Sequence, residues 1–148
     1  NEVGTLQPIR DIARIAKERG ILMHTDAAQS LGKVAVDVSE LGVDLLSIAG
    51  HKLYAPKGVG VLYVRDGVQL ETFMHGAGHE GGRRAGTENT PYVVALGQAC
   101  EIAQRSLPAA TAKLQQLRDR LHDRLRTALG DKLVLNGHPE RRLPNTLN

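Results

Sequence analysis

The sequence predicts an α/β fold, a mostly parallel sheet flanked by helices, on three observations. A stretch with helical apolar spacing, Ile9, Ile12, Ala13 and Ala16, leads into a short apolar run, Ile21 to Thr25, that ends at Asp26. A second apolar run, Gly42 to Ala49, repeats the pattern and delivers Gly50-His51-Lys52. Helix, strand, crossover, strand is the grammar of a parallel sheet, and 148 residues, 41% of them hydrophobic, are enough for a domain with a core.

Taken in order, the first helix follows Pro8 and is closed by Gly20, the usual punctuation of proline near the start and glycine past the end. Ile21 to Thr25 reads as a buried strand with Asp26 at its carboxyl end, and Val43 to Ala49 as a second one. Ligands of parallel sheets sit at the carboxyl ends of the strands, so Asp26 and Lys52 are placed at the same mouth independently of each other. Ala55-Pro56-Lys57-Gly58 is a turn, and Val59 to Arg65 a further strand. His75 to Gly86 is rich in glycine and polar residues and reads as a shaped loop. A helix from Pro91 to about Ser106 is interrupted at Pro108. A second amphipathic helix carries Leu114, Leu117, Leu121, Leu125 and Leu129, a stripe expected to pack in a core, and Gly130 ends it. Leu133-Val134-Leu135 begins another strand. No repeat, low-complexity tract or flexible linker interrupts the chain.

Composition excludes several function classes. The net charge of +3 is spread out, with a share on Arg118, Arg120, Arg124 and Arg126. That group reads as a solvated helix face; with no Trp and one Phe there is no aromatic platform for single-stranded nucleic acid. No apolar run approaches the ~20 residues that cross a bilayer, and the opening residues do not read as a signal peptide. The lone cysteine, Cys100, allows no internal disulfide, suits a reducing cytoplasm, and in its helical context reads as a small buried hydrophobe. A start at Asn1 and a stop at Asn148 with no tail-like composition read as a portion of something longer.

Three features could carry chemistry. Lys52 follows a buried strand and has His51 and Lys57 as neighbours; desolvation and nearby cations favour the neutral amine that imine chemistry needs. The plain alternative is a surface lysine. Asp26 could hold a pyridinium nitrogen protonated, or could cap a turn starting at Ala27, with Gln29 projecting toward the same mouth. The loop His75 to Asn89 offers glycines, arginines and the Thr87 hydroxyl to a phosphate, or is simply flexible. His75, His79 and Glu80 echo a zinc-binding pair at four-residue spacing, but that arrangement needs a helix, which Gly76, Gly78, Gly81 and Gly82 oppose.

Taken together, Asn1-Glu2-Val3-Gly4, His24-Thr25-Asp26-Ala27-Ala28-Gln29, Gly50-His51-Lys52 with Pro56-Lys57-Gly58, and Arg84-Ala85-Gly86-Thr87-Glu88-Asn89 resemble, in order, the signatures of cysteine desulfurases. These are class V aminotransferases of fold type I. The resemblance runs through nearly the whole chain and implies pyridoxal 5'-phosphate as cofactor. It implies that residues 1–106 are part of the large cofactor-binding domain, and that 107–148 are a helix and the start of the small C-terminal domain. Lys52 would carry the cofactor in covalent linkage and shuttle the substrate's α-proton. Asp26 would pair with the ring nitrogen, Gln29 with the phenolic oxygen, and Asn1 with the cofactor and the substrate carboxylate. Gly50 and His51 would lie at the phosphate. Thr87 would reach the phosphate of the partner subunit in a homodimer. The implied activity removes sulfur from L-cysteine, leaving L-alanine and an enzyme persulfide for a sulfur-acceptor protein in iron–sulfur cluster or thio-cofactor synthesis.

Two departures qualify the resemblance. Ala49 stands where the family often has a phosphate-binding serine. The family's upstream threonine and stacking histidine, its substrate-binding arginine and its catalytic cysteine have no counterpart in these residues, and Cys100 does not match the catalytic position. The rival readings are a selenocysteine lyase, with which Ala49 and Glu88-Asn89-Thr90-Pro91 are compatible, another class V aminotransferase, or a non-catalytic scaffold whose two helices after Pro91 carry partner contacts.

Overall fold

A computed structural model describes residues 1–148. Helix α1, Ile9–Glu18, begins after Pro8 and turns its Ala13 into the core. Strand β1, His24–Asp26, follows. Helix α2, Val38–Leu41, is a single turn whose start is fixed by Asp37, the side chain accepting from the backbone N–H of Ser39 and Glu40. Gly42 ends it in the left-handed region, φ 70°. Strand β2, Leu45–Ala49, a 3₁₀ turn at Gly50–Leu53, and strand β3, Gly60–Val64, complete the sheet. Helix α3 then runs 40 residues, Thr90–Leu129, with the Asn89 side chain capping its start at Tyr92 N–H.

The sheet order is β1-β2-β3. β1 and β2 are parallel, with His24 opposite Leu45 and Asp26 opposite Ser47. β3 returns antiparallel, pairing Leu45 with Val64 and Ala49 with Gly60. A parallel return would need a crossover of a dozen or more residues, and the short Tyr54-to-Val59 connection allows only the reversal. Leu46 and Val43 are fully buried against Ala13 and Ala27 on one side of the sheet. A second small core, Leu53, Ala55 and Leu96, seats α3 on the turn after β2, and Ile48 packs against both cores.

Several expectations require correction. β1 has three residues, and Ile21 and Leu22 lie exposed ahead of it, because pairing with β2 starts only at His24. Leu133 to Leu135 form no strand; no strand of this chain lies beside them to complete a ladder. The helix is not interrupted at Pro108. Proline there removes one backbone bond, but tertiary contacts hold the helix on both sides: Leu96 is buried before it, and after it Thr111 Oγ1 donates to the Lys33 carbonyl at 2.8 Å. The leucine stripe is not a core in this chain, since Leu117, Leu121 and Leu129 are about half exposed. Cys100 is half-buried rather than buried, against the second core. Nor is the arginine face fully solvated: Arg118 is tucked in, Nη1 donating to the Leu143 carbonyl at 3.0 Å.

Only 12 of the 148 residues are buried. The accessible surface, 10450 Å², compares with roughly 7,400 Å² for a compact monomer of 16.0 kDa. Part of the excess is apolar: Ile21, Leu22, Phe73, Val94 and Val134 are all more than half exposed.

Candidate functional site

The parallel pairing of β1 and β2 brings their carboxyl ends to one edge of the sheet, so Asp26 and the turn bearing Lys52 leave the sheet side by side. Beyond Asp26 the ladder continues for one bond, Ala27 N–H donating to the Ser47 carbonyl at 2.9 Å. Asp26 Oδ1 accepts from Ala28 N–H at 2.8 Å and starts a single turn, closed by Leu31 N–H donating to the Ala27 carbonyl at 3.0 Å. The capping and functional readings of Asp26 are therefore compatible: one oxygen fixes the turn that carries Gln29, and the other makes no hydrogen bond within the chain. Asn1, Asp26 and Gln29 line one cavity of about 410 Å³, with Gly4, Thr5 and Leu143 among its other walls.

The turn that holds Lys52 is locally over-determined. Gly50 N–H donates to the Val59 carbonyl at 3.0 Å, and Ala55 N–H to the Gly50 carbonyl at 3.2 Å. A Cβ at Gly50 would lie 2.6 Å from the Val59 carbonyl oxygen, so only glycine lets β3 approach this closely. Tyr54, a non-glycine residue at φ 64°, closes the turn. Leu53 and Ala55 are buried while His51 and Lys52 point outward and are exposed. The desolvation expected at Lys52 is thus not supplied by this chain alone.

Lys52 lines a second cavity, about 710 Å³, between the turn and α3. The segment 30–34 divides the two: Ser30 and Val34 face the first, Gly32 and Lys33 the second. Lys33 was not singled out by sequence reasoning, yet it lines the same cavity as Lys52 and feels its charge. Its ammonium is held below the usual lysine range, first by burial and then by the positive charge of Lys52. Lys57, the neighbour suggested by the sequence, is exposed and lines neither cavity. No periodicity signals Lys33; only the fold brings it to Lys52.

Ala49 is half-buried and Gly50 buried, and neither they nor His51 line either cavity. Thr87 is exposed on the long loop and is not brought to Lys52 within this chain. That loop is tied by Ala85 N–H donating to the Met74 carbonyl at 2.9 Å and Thr72 Oγ1 to the Gly82 carbonyl at 2.8 Å. Backbone N–H groups of Glu88 itself and of Glu80 hold the Glu88 carboxyl below its ordinary range. His75 and His79 lie on no helix, so the face a zinc pair requires does not form.

The chain is similar over its whole length to known proteins. The model of the aminotransferase class V family matches residues 1–148. The chain is 49% identical, over 148 residues, to the cysteine desulfurase IscS of Methanosarcina thermophila, covering 100% of this chain and 36% of that protein. It is 45% identical over 150 residues to a cysteine desulfurase of Pongo abelii, of which it covers 33%. Among solved structures, a NifS-like protein superposes with a TM-score of 0.91 at 41% identity, over 99% of this chain and 40% of that one. A NifS-like protein from Rickettsia africae gives a TM-score of 0.93 at 28% identity, again over 99% and 40%. The chain thus spans little more than a third of the length of the curated relatives it matches.

Proposed function

The chain belongs to the class V aminotransferase family, and from that premise we propose that it is the central, cofactor-holding portion of a pyridoxal 5'-phosphate-dependent cysteine desulfurase. The observation that carries this reading is the pairing of Asp26 with Ser47, which sets a carboxylate and the Lys52 turn at one edge of the sheet. The large-domain portion ends near residue 106, and α3 carries the chain on into the start of the small C-terminal domain.

The donor set fits the cofactor. A carboxylate with one oxygen to spare and the Gln29 amide line one cavity, and the Lys52 amine lines the neighbouring one across segment 30–34. Bound there, the group supplies an electron sink for charge that develops beside a substrate amine. The chain's own residues do the rest. Asp26 holds a proton on the ring nitrogen, and its fixed turn keeps it aimed. Gln29 donates toward the phenolic oxygen. Asn1 orients the cofactor and the carboxylate of L-cysteine. Lys52 anchors the cofactor through Nζ and moves the substrate's α-proton. Ala49 has no hydroxyl and the Gly50 N–H is taken by the Val59 carbonyl, so at this turn phosphate binding falls to His51, with Gly50 shaping the turn and Thr87 reaching across to the partner's phosphate in a homodimer. A cysteine outside these residues takes the sulfur as a persulfide, leaving L-alanine and passing sulfur to an acceptor protein in the cytoplasm.

The test is reduction of the cofactor-loaded polypeptide, extended at both ends to the length of its relatives, with borohydride and mapping of the added mass. Mass on the Lys52 peptide, lost in Lys52→Ala along with about 10²–10⁴-fold of the cysteine turnover, supports the reading. A folded, extended polypeptide that leaves Lys52 unmodified would sink it.

A further inference from the structure

The two ends of the chain meet. Leu6 N–H donates to the Arg141 carbonyl at 2.9 Å and Leu143 N–H to the Gly4 carbonyl at 2.8 Å, around an antiparallel bridge between Thr5 and Arg142. His138 N–H donates to Thr5 Oγ1 at 3.1 Å. The fit is tight: at Gly4, φ 79°, a Cβ would stand 2.7 Å from Thr146 Cβ, and at Gly137, φ 81°, one would strike Val3 and Thr5.

Arg142 lies at the centre of this contact and is 5% exposed. Its guanidinium donates from Nε to the Thr146 carbonyl at 3.2 Å and from Nη1 to those of Asn136 at 3.4 Å and His138 at 3.5 Å. Nη2 donates to the Val3 carbonyl at 3.1 Å. All four acceptors are carbonyls, and no carboxylate is paired with this charge. A buried cation is costly unless its donors are satisfied, and a planar fork of five N–H groups is what can satisfy four dispersed carbonyls at once. Three of these bonds stay within the C-terminal segment. The fourth crosses to Val3, two residues from Asn1.

The Asn1 side chain donates to the Glu2 carboxylate at 3.2 Å. On its C-terminal side Asn1 continues into the Val3–Leu6 segment, whose backbone is clamped by the C-terminal segment and which carries Asn1 to the wall it shares with Asp26 and Gln29. We propose that Arg142 is a positioning residue: through the Val3 carbonyl it sets Asn1 at the wall of the site, coupling the C-terminal segment to cofactor and substrate binding. This rests on the role of Asn1 proposed above.

The experiment is a double-mutant cycle in the extended, cofactor-loaded polypeptide, reading KM for L-cysteine, kcat and the thermal midpoint. Arg142→Lys keeps the charge and loses the fork. It should raise KM about tenfold, the loss expected for a charge-assisted hydrogen bond, with a smaller change in kcat. Asn1→Ala should raise KM as well, and adding Arg142→Lys to it should raise KM little further. Losses that multiply in the double variant overturn the proposal, since they mean that Arg142 supports the fold without acting through Asn1. If Asn1→Ala leaves KM unchanged while Lys52→Ala abolishes turnover, the role of Asn1 itself is wrong and the proposal falls with it. Should Arg142→Lys fail to fold, Arg142→Gln, which keeps an amide donor and loses the fork, enters the same cycle, and the same two outcomes decide.

Discussion

The turn at Gly50–Leu53 and the loop from Gly67 to Asn89 both carry residues assigned to the cofactor, and they are built in opposite ways. The turn stands on two buried side chains, Leu53 and Ala55; Gly50 N–H ties it to Val59, just ahead of β3, and Ala55 N–H closes it on the Gly50 carbonyl. The loop buries no residue, and its Phe73 is 90% exposed. Side-chain support for the Lys52 turn is thus encoded within these 148 residues, while the loop bearing Thr87 is held by hydrogen bonds alone. A segment with few buried apolar contacts opens at low free-energy cost, and Phe73 and Met74 stand exposed on it.

The contrast is broken most severely at the sheet. Leu46→Ala, at a residue 1% exposed, should cost about 2–5 kcal/mol in urea unfolding, while Phe73→Ala should stay within about 0.5 kcal/mol. Equal costs would mean that the loop is packed in solution after all. A finer version uses two glycines. Gly50→Ala places a methyl 2.6 Å from the Val59 carbonyl oxygen and should cost about 1–3 kcal/mol. Gly78→Ala meets nothing within 4 Å and should be neutral or stabilising by about 0.4–1 kcal/mol, through the unfolded chain.

The smallest effect concerns the charge pair. Burial and Lys52 hold Lys33 below its ordinary range in the folded state. The unfolded chain then binds more protons, so stability rises with pH between that lowered value and the ordinary one. Lys52→Ala removes the second cause and should move the Lys33 titration upward, as followed by NMR of labelled lysine. A Lys33 titration that does not move would separate the two residues in solution.

Much of the site was legible because it is written in local chemistry. Asp26 and Lys52 are each delivered by an apolar run that ends in a polar residue, and such runs read as strands wherever they occur. The helix read from Pro91 is α3, which begins at Thr90. The length of β1, the continuity of α3 through Pro108, the exposed leucine stripe and the roles of Lys33, Arg118 and Arg142 were not legible. Each depends on a neighbour far away in the chain: β2, the Lys33 carbonyl, the Lys52 turn, the Leu143 carbonyl and Val3.

The sequence by itself therefore determined the helix–strand–crossover–strand order of the first half and the order of the motifs, since periodicity, turn chemistry and strand ends are properties of adjacent residues. Tertiary structure alone decided which cation faces Lys52, that β3 runs antiparallel, and that a buried arginine ties the last residues to the first. Those outcomes follow from packing and from satisfying buried donors across long separations, and no window of neighbouring residues contains both partners.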